Sequence, residues 1–422
     1  MPGRLSALAL CCAVRPESKP PVPRPSSKPA PPGIVLLAGV TGFGAVAIDS
    51  FLPLLPALAG TFQVTAADAQ MAVGAVMVGF AIGQVVYGPL SDRFGRRLPL
   101  LFGMALFTVA AIAASVADSF ATMVAWRFVQ GMGGAAGSVI ARAIVRDLHA
   151  RDEAARQLSY MTTIMGTIPI AASFIGAQLL AHFGWRTVPA AMAAYGLVVI
   201  ALVVWRLPET NPRRGPPAPL SDLLLGYRQA IGHRACFAFV LTNIVLTTAF
   251  FVFLSASPFV LIAGGRLPAE LYGFGFALAI GGLMAGALLN GRLVRHFGAD
   301  LLLRRGKAAL LGLSPLLVLS GTEAAGLALF LPMLFLFQTA LSFVGINAIA
   351  SALSELPARA GTVSALIGAG QFAAGAVAGR WATAAIGQDL LAMTLFMAAF
   401  ALAGVAVHRM FGPRPAGARG RS

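Results

Sequence analysis

Long apolar runs, separated by short polar segments, dominate this chain of 422 residues. Twelve of the runs hold about 18 to 25 residues, and an α-helix of that length crosses the ~30 Å hydrocarbon core of a bilayer. We therefore predict twelve membrane-spanning helices, numbered spans 1 to 12. They lie at residues 34–55, 70–90, 98–117, 121–141, 157–181, 187–206, 236–260, 271–290, 306–320, 326–350, 360–380 and 388–407.

The composition supports this interpretation. Hydrophobic residues make up 58% of the chain and charged residues only 11%, whereas soluble domains carry about 25% charged residues. A net charge of +16 could suit a nucleic-acid-binding protein, but the basic residues are spread over many short loops without a binding motif. We expect the lipid bilayer and a small molecule as partners, and no nucleic acid. The three cysteines predict no disulfide and no metal site.

A polar, Pro-rich segment at residues 207–219 separates the first six spans from the last six. The sequence therefore predicts an N-terminal six-helix bundle over residues 33–207, a cytoplasmic linker over 208–235 and a C-terminal six-helix bundle over 236–408. Residues 1–32 are rich in Pro and Ser, which predicts a disordered cytoplasmic tail. Residues 409–422 are expected to form a second cytoplasmic tail.

Lys and Arg residues are distributed unequally between the two predicted sides of the membrane. The side that holds both termini and the linker carries 27 of them, and the other side carries 3. Because basic loops stay in the cytoplasm, both termini are expected to be cytoplasmic. An alternative interpretation begins at Arg4, since residues 5–14 vaguely resemble a secretory or lipoprotein signal. Its cleavage would invert every loop, against the charge bias.

A segment that follows span 2 is repeated after span 8. The shared glycines are Gly83, Gly88 and Gly95 in the first copy and Gly286, Gly291 and Gly298 in the second. Arg295 takes the place of Asp92, so the two copies differ in charge. A repeat at this distance in an apolar chain indicates two similar halves, each with several membrane helices, as is typical of transporters.

The first copy also resembles a known signature. Its residues Gly88, Asp92, Arg93, Gly95, Arg96 and Arg97 resemble the loop 2–3 motif of the major facilitator superfamily. Residues 47–56, 127–135, 141–147, 257–262 and 361–365 further resemble the Bcr/CflA-type drug-resistance branch of that superfamily. The resemblance implies an all-α polytopic membrane protein. Its twelve transmembrane helices would form two pseudo-symmetric six-helix bundles, which rock to give alternating access to a central cavity.

We interpret the repeated segment as a gating motif. Asp92 stands at a helix end, where it can pair with a basic residue or with the N-terminus of a neighbouring helix. Arg93, Arg96 and Arg97 either belong to the same gate or only fix the topology of the loop. In the second half, the matching motif consists of Gly291, Arg295 and Gly298.

Two ionisable residues lie well inside predicted spans, Asp49 in span 1 and Arg127 in span 4. A charged side chain within the membrane is costly, so its presence points to a function. Both residues are predicted at a similar depth. We predict that Asp49 faces Arg127 and that its protonation is coupled to the conformation of the protein. The alternative is a static ion pair that only holds spans 1 and 4 together.

The predicted cavity offers few other polar groups. Its candidate substrate contacts are Phe51, Gln130, Asn243, Gln338, Asn347 and Gln371. Phe51 stands where the drug-resistance branch usually has a tyrosine, so a hydroxyl is missing there. Most of the amides are expected to make hydrogen bonds between helices. With many aromatic residues and methionines, the cavity suits amphipathic molecules that are neutral or weakly cationic.

The function implied by the resemblance is that of a proton-coupled secondary transporter, which exports drugs or small amphipathic metabolites across the bacterial inner membrane. A proton-linked metabolite importer and a transporter-like receptor remain as alternatives. No Gly-x4-Gly-Lys-Ser/Thr sequence is present, so ATP hydrolysis by this chain is not expected. We expect a monomer that is not an enzyme and needs no cofactor.

Overall fold

The structure, a computed structural model, describes residues 33–148, 151–211 and 220–412. Every regular element within these ranges is helical. The tail predicted at residues 1–32, linker residues 212–219 and tail residues 413–422 lie outside the described residues.

In the described part of the first half, helices follow one another with short connections. Span 1 consists of α1 (Ile34–Thr41), α2 (Phe43–Asp49), a 3-10 turn (Leu52–Leu54) and α3 (Leu55–Phe62). Span 2 consists of α4 (Ala66–Ala69) and α5 (Met71–Phe94). Spans 3 to 6 are α6 (Arg97–Ser115), α7 (Phe120–Leu148), α8 (Arg151–Phe183) and α9 (Thr187–Arg206).

The second half follows a short helix, α10 (Leu220–Gly232), which lies in the predicted linker. Span 7 consists of α11 (Arg234–Ser257) and a π-helix (Pro258–Ala263), and span 8 of a 3-10 turn (Ala269–Leu271) and α12 (Tyr272–Phe297). Spans 9 and 10 are α13 (Ala299–Ser320) and α14 (Gly326–Glu355). After a 3-10 turn (Pro357–Arg359), spans 11 and 12 are α15 (Ala360–Ile386) and α16 (Leu390–Phe411).

Eleven helical segments of the described chain are long and apolar enough to cross a membrane. The twelfth, α13, packs against α14 and α16 but carries Arg304, Arg305 and Lys307 near its start, which makes it less apolar. The prediction of an all-α polytopic protein with two six-helix halves is confirmed. Helix α9 ends at Arg206 and α11 begins at Arg234, close to the boundaries predicted from the sequence.

Span 1 is interrupted just after Asp49, at the depth where the predicted site lies. Pro53 has no N–H group and cannot continue the hydrogen-bond ladder of a helix. The N–H of Phe51 donates to the carbonyl of Ile48 at 3.2 Å, a tighter pairing than the usual helical bond to Ala47. The carbonyl of Ala47 is therefore available to another donor, and this determines how Arg127 is held.

Close helix contacts at glycines give the two halves the same packing. A Cβ atom on Gly79 of α5 would lie 2.1 Å from the carbonyl oxygen of Phe128 on α7. In the second half, a Cβ atom on Gly282 of α12 would lie 2.4 Å from the carbonyl oxygen of Phe335 on α14. Only glycine allows two backbones to approach this closely. Gly79 and Gly282, each four residues before the first glycine of the repeat, therefore set the packing of span 2 on span 4 and of span 8 on span 10.

The two halves pack against each other through α5 with α15 and through α8 with α12. At one end, α3 and the 3-10 turn of span 1 also contact the π-helix of span 7. We call this the closed end. The other end, where the loops around Gly95 and Gly298 lie, is called the motif end.

Candidate functional site

The facing surfaces of the two halves enclose a cavity of about 1050 Å³. This volume is at the upper limit of the ~300–1,000 Å³ that is usual for sites of drug-sized ligands. Its walls are mainly apolar, with aromatic and methionine side chains from both halves. These are Phe80, Met165, Phe250, Phe251, Met284 and Phe372. Such a surface fits amphipathic molecules of varied shape, because methionine and aromatic side chains adapt to different partners.

The ionisable groups of the cavity are found at two levels. Asp49 lies deep in it, at the end of α2, whereas Arg142 on α7 and Arg292 on α12 lie near the motif end. The cavity therefore reaches from the level of Asp49 to the motif end. Thr41, Gln84, Ser138 and Ser342 are the further polar side chains on its wall.

Asp49 is almost completely buried, with 7% of its surface exposed. Among the described residues, no hydrogen bond or ion pair is made to its carboxyl group. Its neighbour Ser50 donates instead to the carbonyl of Val46 at 2.6 Å, within the same span. The carboxyl group of Asp49 is thus left to whatever enters the cavity, whether a proton, water or a cationic part of a ligand.

Arg127 is fully buried and is held by three oxygen acceptors on three helices. Its guanidinium donates to the carbonyl of Ala47 on α2 at 2.6 Å, to the carbonyl of Ala72 on α5 at 3.2 Å and to Oε1 of Gln130 on α7 at 2.6 Å. It also lies 3.9 Å from the centre of the Phe51 ring, a cation–π contact. Arg127 therefore joins spans 1, 2 and 4.

The predicted pair of Asp49 with Arg127 is wrong in this conformation. The two residues lie at a similar depth, as expected, because Arg127 bonds to Ala47, two residues before Asp49. The guanidinium is nevertheless satisfied by backbone carbonyls and an amide. The break in span 1 explains the difference, since it frees the carbonyl of Ala47. Asp49 faces the cavity, and Arg127 is buried behind it.

The structure places none of the six candidate substrate contacts on the wall of the cavity. In the first half, Phe51 is fully buried beneath Arg127, and Gln130 is fully buried because it binds Arg127. Phe51 and Gln130 were expected on the wall of the cavity, but the structure places both between the helices. Side chains three or four positions apart on α7 share a face, and that face points into the bundle.

In the second half, three of the four candidate amides form hydrogen bonds between helices. Asn243 donates to the carbonyl of Gly345 at 3.0 Å and accepts from Gln371 at 2.6 Å. Asn347 donates to Oδ1 of Asn290 at 2.7 Å. Gln338 is fully buried, and its amide has no hydrogen-bond partner within the described residues. The expectation that most of these amides bond between helices holds for the three that have partners. None of the four lines the cavity in this conformation, and their contact with substrate stays a prediction.

The gating motif of the first half forms a network of ion pairs at the motif end. Arg96 donates to Asp92 at 2.5 Å and to Asp147, at the end of α7, at 2.8 Å. It also donates to the hydroxyl of Ser91 at 2.8 Å. These contacts connect the loop between α5 and α6 to span 4, and Arg96 is shared by Asp92 and Asp147. The gating role of Asp92 stays a prediction. Arg97 donates to the carbonyl of Val204 at 2.7 Å, and Arg93 lies 5.2 Å from the centre of the Phe94 ring.

Glu209 completes this network, and sequence reasoning missed it. Its carboxylate accepts the backbone N–H of Arg96 at 2.8 Å and that of Arg97 at 3.2 Å, at the start of α6. Partial burial would raise the pKa of Glu209, but the hydrogen bonds from the backbone of Asn211, Arg96, Arg97 and Thr210 lower it below the ordinary value. The position of Glu209 at the start of the Pro-rich linker gave no signal of this contact.

The second copy of the motif has the same turn without the same contacts. Gly298 has φ 73° and ψ 158°, and Gly95 has φ 88° and ψ 169°. Arg295 is exposed and makes no ion pair with the described residues. Gly291 lies on the wall of the cavity, whereas Gly88 does not line it.

The closed end is held by polar contacts between the halves. Asp68 pairs with Arg380 of α15 at 3.0 Å, and the amide of Gln70 donates to the hydroxyl of Ser255 on α11 at 2.8 Å. The second of these contacts is buried. Together with the packing of span 1 on span 7, they close the cavity on this side, so the cavity opens only towards the motif end in this conformation.

A twelve-helix chain in two similar halves around one central cavity can be compared with known proteins. Residues 35–379 match the Major Facilitator Superfamily. The chain belongs to this superfamily. It is a multi-pass membrane transporter and not an enzyme.

Curated relatives support the predicted branch. The chain is 29% identical to a protein named bicyclomycin resistance protein homolog from Haemophilus influenzae, over 83% of this chain and 88% of that protein. It is 28% identical to a chloramphenicol resistance protein of Pseudomonas aeruginosa, over 68% of each. The resemblance to the drug-resistance branch is confirmed.

A solved structure confirms the fold. The crystal structure of a bacterial homologue of the human lysosomal transporter Spinster, described as inward-facing and unoccupied, superimposes with a TM-score of 0.72. The match covers 91% of this chain and 98% of that chain, at 15% sequence identity.

Proposed function

We propose that this transporter exports drugs or small amphipathic metabolites from the bacterial cytoplasm in exchange for protons. The observation that carries the proposal is the carboxyl group of Asp49, which has no partner in the described part of the chain and lies at the deep end of a large apolar cavity. A carboxylate inside a membrane protein is costly without a partner, so a bound proton or a cationic group lowers that cost. Names of curated relatives, which refer to resistance to bicyclomycin and chloramphenicol, support the choice of substrate.

Exchange follows if one site serves both the proton and the substrate. In the conformation described, Asp49 is accessible from the motif end, and the closed end is held by the Asp68–Arg380 and Gln70–Ser255 contacts. When the halves rock, Asp49 would become accessible from the other side. A substrate bound beside Asp49 and a proton bound to it then exclude each other, which couples outward transport to inward proton movement.

The motif end is assigned to the cytoplasm. This assignment rests on the charge bias, since 27 Lys and Arg residues lie on the side of the termini and 3 on the other. In a bacterium, the membrane would be the inner membrane. The protein would act as a monomer, because both walls of the cavity come from one chain.

The test is proton movement in everted membrane vesicles, measured with a pH-sensitive dye after addition of a phenicol, a sulfonamide or a lipophilic cation. We expect at least one compound to collapse the pH gradient with the wild type and not with Asp49→Asn. The control is Asp118→Asn, an exposed carboxylate near the closed end, which should respond like the wild type. An equal response of Asp49→Asn and wild type would remove Asp49 from proton coupling, and substrate accumulation in the opposite direction would identify an importer.

A further inference from the structure

The cavity has a charge pattern that sequence analysis did not predict. Its deep end has one carboxyl group, Asp49, and its mouth has two guanidinium groups, Arg142 and Arg292, with aromatic and methionine side chains between them. Arg142 lies one helical turn after Ser138 on α7, and Arg292 one turn after Leu288 on α12. All four line the cavity, so the arginines continue the faces that form its wall.

Both arginines lack an anionic partner. Within the described residues, no carboxylate lies within ion-pair distance of Arg142 or Arg292. Three carboxylates of the motif end are engaged elsewhere, because Asp92 and Asp147 bind Arg96 and Glu209 binds the start of α6. Among the described residues, the positive charge of Arg142 and Arg292 at the mouth is therefore not neutralised by a carboxylate.

The two arginines also stand on opposite halves, Arg142 on span 4 and Arg292 on span 8. Closure of the motif end, which alternating access requires, brings the two halves together at this level. Two like charges repel each other when they approach. An anionic group placed between them would remove the repulsion and would bind to both guanidinium groups.

The distance between the two levels limits the size of the ligand. Arg142 is fifteen residues beyond Arg127 along α7, a rise of about 22 Å at ~1.5 Å per residue. Asp49 lies near the level of Arg127, since Arg127 bonds to Ala47 and covers Phe51. An extended drug-sized molecule can therefore place its apolar body against the aromatic wall while a terminal acidic group is at the mouth.

We propose that the preferred substrates are amphipathic molecules with an acidic group, such as a carboxylate or sulfonate, which binds between Arg142 and Arg292. This inference rests on the proposed function, because it specifies the cargo of the same cavity. It replaces the expectation of neutral or weakly cationic substrates, which counted Asp49, the aromatic residues and the methionines but not the two arginines at the mouth. Lipophilic monocations would be repelled at the mouth before they reach Asp49.

The test uses three probes with one apolar body: pyrenebutyrate, pyrenebutanol and pyrenebutylammonium. Their affinity for the full-length protein in nanodiscs of uncharged lipid is measured by fluorescence anisotropy, with empty nanodiscs as background. We expect pyrenebutyrate to bind about tenfold more tightly than pyrenebutylammonium. Arg142→Gln and Arg292→Gln should each remove most of this preference, and the double variant all of it.

The matched control is Arg304→Gln, which removes the same charge from an exposed position on α13 that does not line the cavity. It should keep the preference for pyrenebutyrate. Equal affinity for the three probes would overturn the inference, as would a preference that persists in the Arg142→Gln/Arg292→Gln variant. Binding of pyrenebutanol to each variant reports whether its cavity is intact.

The two proposals fail in different ways. Binding in nanodiscs needs no proton gradient, so a preference for the acidic probe without proton exchange in vesicles would overturn the proposed antiport alone. Proton exchange driven equally by the neutral and acidic probes would support antiport and overturn the inference on the substrate.

Discussion

The turn at Gly95, between α5 and α6, and the turn at Gly298, between α12 and α13, share one backbone conformation. Their dihedral angles are φ 88°, ψ 169° and φ 73°, ψ 158°, a region that is almost restricted to glycine. The contacts around them differ. Gly95 lies against the carboxylate of Glu209, whereas a Cβ atom on Gly298 would meet nothing within 4 Å. The repeat therefore preserves the shape of the turn, and only the first half has an electrostatic network around it.

This comparison teaches that backbone and charge have separate roles in the two motifs. The backbone conformation redirects the chain into the next helix in both halves. The network of Asp92, Arg96, Asp147 and Glu209 ties together spans 2, 3, 4 and the linker in the first half only. We expect the first motif to be rigid. In the second motif, Arg295 is exposed and has no ion-pair partner among the described residues. We expect Arg295 to form new contacts when the halves move.

The largest effect is expected from alanine at the two turns. Gly95→Ala and Gly298→Ala both force an L-residue into a glycine region, at a cost of about 1–3 kcal/mol each. Gly95→Ala has an additional clash, because its Cβ would lie 2.4 Å from a Glu209 oxygen. The melting temperature of the purified protein in detergent should fall for both variants and clearly further for Gly95→Ala. Equal decreases would mean that Glu209 moves aside without cost.

The next effect concerns the arginines of the two motifs. Arg96→Gln breaks the contacts with Asp92 and Asp147 and should cost about 2 kcal/mol, less than two buried ion pairs because Asp92 is 60% exposed. Arg295→Gln should change stability by no more than about 0.5 kcal/mol. Thermal unfolding of the two variants and of Asp147→Asn checks this. The Arg96→Gln/Asp147→Asn double variant should lose less than the sum of the single variants.

A smaller effect is expected at the helix starts that follow the turns. Glu209→Gln weakens the hydrogen bonds to the backbone of Arg96 and Arg97 and should cost about 1 kcal/mol. Asp300→Asn at the start of α13 weakens an interaction with the helix dipole, at about 0.5 kcal/mol. Melting temperatures at neutral pH compare the two, and a larger loss for Asp300→Asn would contradict the asymmetry of the halves.

The stabilisation by Glu209 depends on pH, and the pKa of Glu209 gives the sign of this dependence. The pKa of Glu209 in the folded protein lies below its ordinary value of 4.5, so the stabilisation is present above that value and is lost as the pH falls through the folded pKa. The difference in melting temperature between wild type and Glu209→Gln should therefore be constant from pH 7 to pH 5 and shrink below pH 4.5. A difference that grows on acidification would contradict the assigned hydrogen bonds.

The smallest effect belongs to the glycines within the helices. A Cβ atom on Gly88 or Gly291 would meet nothing within 4 Å, and alanine is a better helix former than glycine by about 1 kcal/mol. Gly88→Ala and Gly291→Ala should leave the melting temperature unchanged or slightly higher. If transport nevertheless decreases in either variant, a neighbouring helix approaches that glycine closely in another conformation of the protein. A marked loss of stability would mean that the two helices pack differently here.

Sequence reasoning predicted the parts of the molecule that depend on pattern. The twelve apolar runs specify the helices, and the repeated segment indicates two similar halves. The depth of Asp49 and Arg127 also followed from helix length. These features are properties of single helices or of repeated spacing, and both are visible in one sequence.

Two kinds of feature were missed. One depends on how each helix is rotated about its own axis, and the other on which backbone groups are free to form hydrogen bonds. Gln130 and Arg142 both lie on α7, but only the turn with Arg142 faces the cavity. The partner of Arg127 is a carbonyl that a local break exposes, and no side-chain pattern shows such an acceptor. Glu209 reaches the start of α6 across 113 positions of sequence, a distance at which spacing carries no information.

The way in which Arg127 is bound has an evolutionary consequence. Two of its three oxygen acceptors belong to the main chain, at Ala47 and Ala72, and any amino acid at those positions supplies the same oxygen. Mutation of α2 and α5 can therefore reshape the substrate wall while these acceptors persist, as long as the replacements are small enough to pack. Lysine could not replace Arg127, because a single ammonium group cannot reach the acceptor oxygens on three helices at once. Substrate range can thus diverge quickly around a residue that is itself fixed.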